Sequence, residues 1–235
     1  MKYLINYADL AFFRSRMLNS LTGIQAGFDA VIQYKRENID DKFLTKNNSI
    51  LSQRRGAGYW LWKPYFILKT LERLDDGDIL FYADAGTEFV RSADPLFARI
   101  EKEPMGIAAF QLTGGHKEGE YTRKSVIEAL GLDPAVVRTT DQIMASFVIA
   151  RKCESSIKVV KKWLESCEDP DLILDKDRDP DEFPEFKDHR HDQSLWSLWT
   201  KKLNVPVYPD PTQWGVTHGQ TQEDDVFIKH HRKRT

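Results

Sequence analysis

The residues best placed to do chemistry begin at Asp84. Ile79, Leu80, Phe81 and Tyr82 form a short apolar run, bounded by Asp75-Asp76-Gly77 on one side and Ala85-Gly86 on the other. That is the pattern of a strand covered on both faces. In an open α/β sheet, ligands sit beyond the carboxyl ends of the strands, so Asp84 stands where a sheet delivers side chains to a ligand. A carboxylate there suits a divalent cation that bridges phosphates, because hard cations choose carboxylate oxygens and fill their shell with water and substrate. The competing assignment is a turn aspartate that caps a loop.

Two further clusters share this character. Arg54-Arg55-Gly56-Ala57-Gly58-Tyr59-Trp60-Leu61-Trp62-Lys63-Pro64 places cations and glycines just before a helix expected over Tyr65–Leu74, with Pro64 suited to its first turn. Side-chain charge, free backbone amides and the helix dipole together make such a loop a grip for phosphate. Trp60 and Trp62 offer faces to a base or a sugar, core packing being the alternative for at least one of them. The third cluster, His189-Arg190-His191-Asp192-Gln193-Ser194, precedes the helical run Leu195–Trp199, so its polar groups project from a rigid base. For Asp192 the competing role is a helix cap.

The elements that position these groups follow from periodicity. Tyr3–Tyr7 reads as a first strand. Phe13, Met17, Leu21 and Ile24 recur at helical spacing until Gly27, and Phe28–Tyr34 reads as a second strand. Strand, helix and strand in that order imply a parallel pair with a right-handed crossover, the opening of a Rossmann-like fold. Asn6 and Asp9 then lie at the first strand's tip. The pattern predicts a helix over Ile39–Gln53, a strand at Gly106–Phe110, a helix at Thr122–Leu130, a strand at Ile143–Ala150 and a helix carrying Ile157, Val160, Trp163 and Leu164. Short strands at Val205–Tyr208 and Val226–Ile228 complete the series. Leu112–Tyr121 is Gly-rich and reads as a lid, with His116 a surface residue within it. Residues 168–188 read as a mobile acidic loop with three X-Pro steps. Domain organisation is a single unit, 1–235.

Thirty-four basic against thirty-six acidic residues give a net charge of −2, which argues against a nucleic-acid binder. Cys153 and Cys167 bracket an expected helix about 21 Å long and so do not form a disulfide. A reducing cytosol is the expected compartment, with work beside a membrane left open. No signal peptide and no transmembrane segment is expected.

Taken together, Arg-Gly-Ala-Gly-Tyr-Trp-Leu-Trp-Lys-Pro at 55–64, Tyr-Ala-Asp-Ala-Gly at 82–86 and His-Asp-Gln-Ser at 191–194 resemble a small GT-A glycosyltransferase. The type is that of bacterial polysaccharide-biosynthesis enzymes and of a domain of chlorella-virus glycosyltransferases. The resemblance covers most of residues 1–228. It implies an α/β fold, a single domain whose mixed, mostly parallel central sheet is flanked by helices. It also implies transfer of a sugar from a UDP-sugar to a glycan or glycoconjugate acceptor with retention, assisted by Mn²⁺ or Mg²⁺. Asp84 would open a metal and nucleotide motif whose third position is here Gly86 instead of Asp. Asn6, Asp9, Arg55, Trp60, Lys63, Tyr82, Ala85 and Arg232 would contact the donor, while His191, Asp192 and Gln193 would serve catalysis. His230 or His231 would complete the metal shell with Asp84. Strand alternation allows at most one of the two into the cleft.

Two rival classes remain at this stage. A sugar-phosphate nucleotidyltransferase would carry a Gly-rich phosphate loop straight after the first strand, and Asn6–Phe13 has none. A carbohydrate-binding module would use the tryptophans as a platform and need neither metal nor nucleotide.

Overall fold

A computed structural model describes residues 1–231 of the chain. Its strands are β1 (Lys2–Tyr7), β2 (Ala30–Tyr34), β3 (Ile79–Ala83), β4 (Thr87–Phe89), β5 (Ile107–Gln111), β6 (Ile143–Arg151), β7 (Val207–Tyr208) and β8 (Ile228–His230). Six of them form one sheet in the order β2-β1-β3-β6-β5-β7, while β4 and β8 pair in a small second sheet. β6 pairs antiparallel with both β3 and β5, whereas the other pairings within the large sheet are parallel. The sheet is therefore mixed and mostly parallel. The longest helices are α1 (Phe13–Gln25), α2 (Trp62–Leu71), α3 (Asp94–Glu101), α4 (Glu154–Cys167) and α5 (His191–Lys202).

β3 sits at the centre, and its alternation divides the core. Leu80 and Tyr82 join the cluster beneath α2, α4 and α5, while Ile79, Phe81 and Ala83 join the cluster beneath α3 and β8. Every residue of β3 is buried, as its unbroken apolar run requires.

The spacing of Phe13, Met17, Leu21 and Ile24 marks α1, yet the structure turns that stripe outward. The buried positions are Ser15, Asn19, Ser20 and Gly23. A Cβ on Gly23 would lie 2.3 Å from a Leu4 methyl, so the helix lies too close to β1 for large side chains. Hydrogen bonds hold this seam: Asn6 Nδ2 donates to Asn19 Oδ1 (2.8 Å), Asn19 Nδ2 to the Thr87 carbonyl (3.1 Å), and the Phe89 amide to Thr22 Oγ1 (3.1 Å).

Other boundaries differ from the sequence pattern for local reasons. Residues 39–53 form two short helices, Asp41–Lys46 and Asn48–Leu51, which meet at buried Asn47. Asn47 Nδ2 there donates to the Phe43 carbonyl and to Glu168. β2 begins only at Ala30, because Phe28 leaves the sheet to pack on Phe81, Phe89 and Phe97. The strand expected at Val226–Ile228 is displaced to Ile228–His230, where it pairs with β4. Residues 168–188 include a short helix, Pro170–Ile173, and make specific contacts with the rest of the chain. Arg123 donates to the carbonyls of Asp171, Leu172 and Leu174, Glu185 pairs with Arg138 (2.8 Å), and Ile173 and Phe183 are buried.

Candidate active site

The loop before α2 is built from backbone that few residues adopt. Gly56, Ala57, Gly58, Tyr59 and Trp60 all have positive φ, between 51° and 100°, so five consecutive residues wind in the left-handed sense. For residues with a Cβ this costs about 1–2 kcal/mol each. The turn separates the two tryptophans. Trp62 goes inward, where it stacks on Tyr7 at 3.9 Å and donates to the Gly56 carbonyl, and is therefore core. Trp60 lines the cleft, its ring near-parallel to His191 at 5.8 Å. Gly58→Ala is expected to destabilise the protein by about 2–3 kcal/mol, since its φ is +100° and a new Cβ would meet Leu51 Cα at 2.8 Å. Gly77→Ala, at φ +91° with nothing within 4 Å, is expected to cost only about 1 kcal/mol. Chemical denaturation of the two variants side by side checks the difference.

Immediately after the turn, α2 presents Lys63, which is 4% exposed. Its ammonium lies 2.9 Å from Asp192 Oδ2 and 3.5 Å from Asp84 Oδ1. Asp84 follows the last residue of β3, and Asp192 occupies the first turn of α5. One cation therefore joins the carboxylates of two elements far apart in sequence. Tyr82 donates its hydroxyl to Asp84 Oδ1 (2.6 Å), and the Asp84 amide donates to the Ser146 carbonyl (2.9 Å). The indole of Trp163 donates to the Asp192 carbonyl (2.9 Å) and fixes the start of α5.

Two carboxylates share one ammonium, and the electrostatics show it. Burial raises the Asp192 carboxyl from 3.8 to about 6; Lys63 opposes that rise and nearby Asp84 adds to it. Burial opposes the charge of Lys63, but Asp192 and Asp84 outweigh it and hold its pKa above the ordinary lysine value. Lys63 is thus a fixed cation at neutral pH, and Asp192 titrates closer to neutrality than an ordinary carboxyl. With both carboxylates ionised the trio carries an excess negative charge.

A cleft of about 650 Å³ opens on this trio. Arg55, Trp60, His191, Gln193 and His230 line it with Lys63, Asp84 and Asp192, so these expected residues converge. Arg55 is engaged at the rim by Asp175 (3.0 Å) and Asp188 (2.9 Å). Gln193 is anchored by Gln142 and the Ala145 amide. His191 sits at φ +50°, and its Nδ1 lies 2.7 Å from the Ile173 carbonyl. Burial holds its pKa below that of an ordinary histidine, so it is neutral at pH 7.

Other expected contacts fall elsewhere. Asn6 lies on the α1 side of β1, its amide spent on Asn19 and Ser20. Asp9 is exposed beyond β1, and neither residue lines the cleft. Tyr82 and Ala85 are buried behind Asp84, so Tyr82 acts on the carboxylate from within. The alternation of β8 brings His230 to the cleft and leaves His231 off its lining, its amide bonded to the Gly86 carbonyl (3.1 Å). Arg232 lies outside the described residues.

The structure adds residues that the sequence pattern missed. His116, read as surface, lines the cleft with Gly114, Asp188, Asp210, Trp214 and His218, beside Arg190 of the third cluster. The only signal for Asp210, Trp214 and His218 was an aromatic and titratable side chains within the Pro- and Gly-rich stretch Pro209–Gln220.

No family model matches the sequence, and no curated protein matches it at a significant level. Solved structures do match the fold. The apo form of mouse xyloside xylosyltransferase 1 aligns with a TM-score of 0.57 over 98% of each chain, at 10% identity. The apo bifunctional glycosyltransferase WbbM aligns at 0.59 and 9% identity over 99% of this chain, which spans 46% of WbbM. The galactosyltransferase LgtC, solved with donor and acceptor sugar analogues, aligns at 0.53 and 12% identity over 98% of this chain and 87% of its own. The expected GT-A architecture, a mixed and mostly parallel sheet flanked by helices, is therefore the observed one.

Proposed function

We propose that this chain is a glycosyltransferase that moves a sugar from a nucleoside diphosphate donor, specifically UDP, to a hydroxyl of a glycan or glycoconjugate. The observation that carries the reading is Lys63, a buried cation joined to Asp84 and Asp192 where β3 opens into the cleft. Departure of a diphosphate develops negative charge, which fixed cations stabilise in a water-poor site without reorganisation. Lys63 supplies one such charge, offset by its two carboxylates until a divalent cation joins Asp84, and Arg55 at the rim supplies another. Trp60 offers a face to the base or the sugar. Asp192 stabilises the cationic sugar centre and Gln193 orients the sugar beside it.

Retention is the stereochemical part of the proposal. Asp192 is buried against the donor-side cation, a poor position for a base that must take a proton from an acceptor. The anomeric configuration of the first-formed product, followed by NMR, decides it.

A divalent cation, Mn²⁺ or Mg²⁺, is part of the same reading, and the donor set accommodates it sparsely. Tyr82 and Lys63 both engage Oδ1 of Asp84, leaving Oδ2 for a cation, and His230 lines the same cleft. No cluster of three or more ligating side chains occurs among the described residues, so donor phosphates and water must supply the remaining ligands. When bound, the cation would neutralise charge on the diphosphate. Gly86→Asp tests this directly, because a Cβ at 86 meets nothing within 4 Å. Calorimetry is expected to show Mn²⁺ binding strengthened by about tenfold or more in that variant, as a second carboxylate joins the shell. Unchanged Mn²⁺ affinity would remove the metal from the proposal.

Both cysteines are free, which fits a reducing cytosol, and among the described residues no helix is long and apolar enough to cross a membrane. The deciding experiment is a panel of nucleotide-sugars assayed for hydrolysis and thermal stabilisation with and without Mn²⁺. Metal-dependent turnover of a UDP-sugar is expected, whereas indifference to both nucleotide and metal would leave a sugar-binding module.

A further inference from the structure

We propose that the end of the cleft beyond β5 and β7 binds an anionic group, a carboxylate or a phosphate, carried by the acceptor sugar. This deepens the transferase reading above and rests on it for the role of acceptor. The anchor is Arg190, which lines the cleft at the start of α5. Its guanidinium lies over the Tyr121 ring, 3.6 Å from the centroid, and Nη1 donates to Gln142 Oε1 (3.2 Å). Nε and Nη2 form the edge that takes an oxyanion through two parallel bonds. Among the described residues that edge has no hydrogen-bond partner, and no carboxylate forms an ion pair with the group.

Two imidazoles face one space nearby. The Nε2 atoms of His116 and His218 lie 3.3 and 3.6 Å from the point a Cβ on Gly114 would occupy, so they flank one spot above a residue whose φ is +98°. Both histidines line the cleft, and neither forms an ion pair among the described residues. Buried Asp210 clamps together the loops that carry them. Its Oδ2 accepts the Thr113 hydroxyl (2.8 Å), and its Oδ1 accepts the Thr212 amide (2.9 Å) and hydroxyl (2.7 Å). Thr212 in turn caps the short helix Gln213–Thr217. Trp214 on that helix lines the cleft at 45% exposure and offers a ring face to a sugar.

The carboxylates at this end are already engaged. Asp188 is held by Arg55, Glu120 by Lys187 and Glu118 by Lys201, while both oxygens of Asp210 are spent on threonines. Burial, then Arg190, Lys187 and His218, keep His116 below the ordinary histidine pKa against the pull of Glu120, so positive charge outweighs negative there. The cluster also stands apart from the grip on the diphosphate. Asp84 follows β3, whereas Thr113 and Gly114 follow β5, two strands away across β6, or about 10 Å. The contacts run in one line: Lys63 meets Asp192, and its neighbour Gln193 shares Gln142 Oε1 (2.9 Å) with Arg190. The residues assigned to the transferred sugar therefore separate the two cationic groups, which places the second group on the acceptor side.

The test is NMR titration of the full chain at pH 7 with methyl glucoside, methyl glucuronide and methyl glucoside 6-phosphate, probes that differ only in the group at one carbon. At least one charged probe should bind about tenfold or more tightly than the neutral one and should move the ring signals of His116 and His218. The tighter of the charged probes identifies the group as carboxylate or phosphate. Arg190→Gln should remove the preference for charge. His218→Asp, at an exposed position, should remove it as well by setting a negative charge over Gly114, and it keeps the test decisive if Arg190→Gln fails to fold. Equal binding of the three probes overturns the proposal, as does a preference that survives both substitutions. UDP with Mn²⁺ is titrated into the same samples. Displacement of the charged probe by UDP overturns the proposal in favour of a contact with the donor phosphates. A wild type that prefers the charged sugar yet takes no UDP keeps the anion site and overturns the transferase reading, so the two failures are separable.

Discussion

Lys63→Ala is expected to destabilise the fold by about 3–5 kcal/mol, the usual consequence of removing one partner from a buried ion pair. Asp192 is left at 3% exposure without its cation, and Asp84 loses its only ion-pair partner among the described residues. For a chain of this size that corresponds to a fall in melting temperature of about 10 °C or more. The sequence alone suggests the opposite balance, a loop lysine whose loss weakens donor binding more than stability, and burial inverts it. Combining Lys63→Ala with Asp192→Asn should recover part of the lost stability, because the uncompensated buried charge goes with it. Thermal melting of the two single variants and the double variant measures this coupling. A Lys63→Ala protein that melts with the wild type would show that water reaches the trio freely.

Asp192→Asn is expected to do the reverse, reducing turnover on the order of a hundredfold or more while leaving the melting temperature near wild type at pH 7. The pH dependence follows from the raised carboxyl. For transfer, kcat/KM should fall about tenfold per pH unit below about pH 6, as the carboxylate is protonated, and the Asn variant should lack that limb. For stability the sign is opposite. A folded pKa near 6 against 3.8 unfolded means the native state binds the extra proton. The group's contribution is therefore fully present below about pH 3.8 and is lost as pH rises through 6. Wild type should lose stability relative to Asp192→Asn across that window in urea titrations at fixed pH. Normal turnover by the Asn variant would reduce Asp192 to a charge at a helix start.

What the sequence discloses here tracks the kind of signal. An apolar run without alternation can only be a strand covered twice, so β3 and the placement of Asp84 at its end were legible. The same logic failed for α1, because a 3.6-residue period shows that a helix has an apolar face but not which way the face points. Gly23, which sets the close approach to β1, was the clue available. Asn6 stands in the correct strand but with the parity that faces α1. The Lys63–Asp192 pair was beyond reach, since nothing local connects the first turns of α2 and α5. His116 and Asp210 come from connecting segments and Trp214 and His218 from a five-residue helix and its cap, where the chain has no period long enough to read.

The left-handed turn at Gly56–Trp60 carries a consequence for how the protein folds. Three of its residues have a Cβ and oppose that conformation, so no short-range preference can nucleate it. It is held by the packing of Gly58 on Leu51, of Trp62 on Tyr7 and of Trp60 beside His191, contacts with elements distributed from the first strand to the last long helix. Such a segment is expected to be assembled after the folding barrier has been crossed. A change that loosens it, Gly58→Ala for instance, should then accelerate unfolding and leave the refolding rate almost untouched, the signature of a low-φ site in stopped-flow chevrons. The cleft, whose wall this turn supplies, would be the last part of the molecule to form and the first to open.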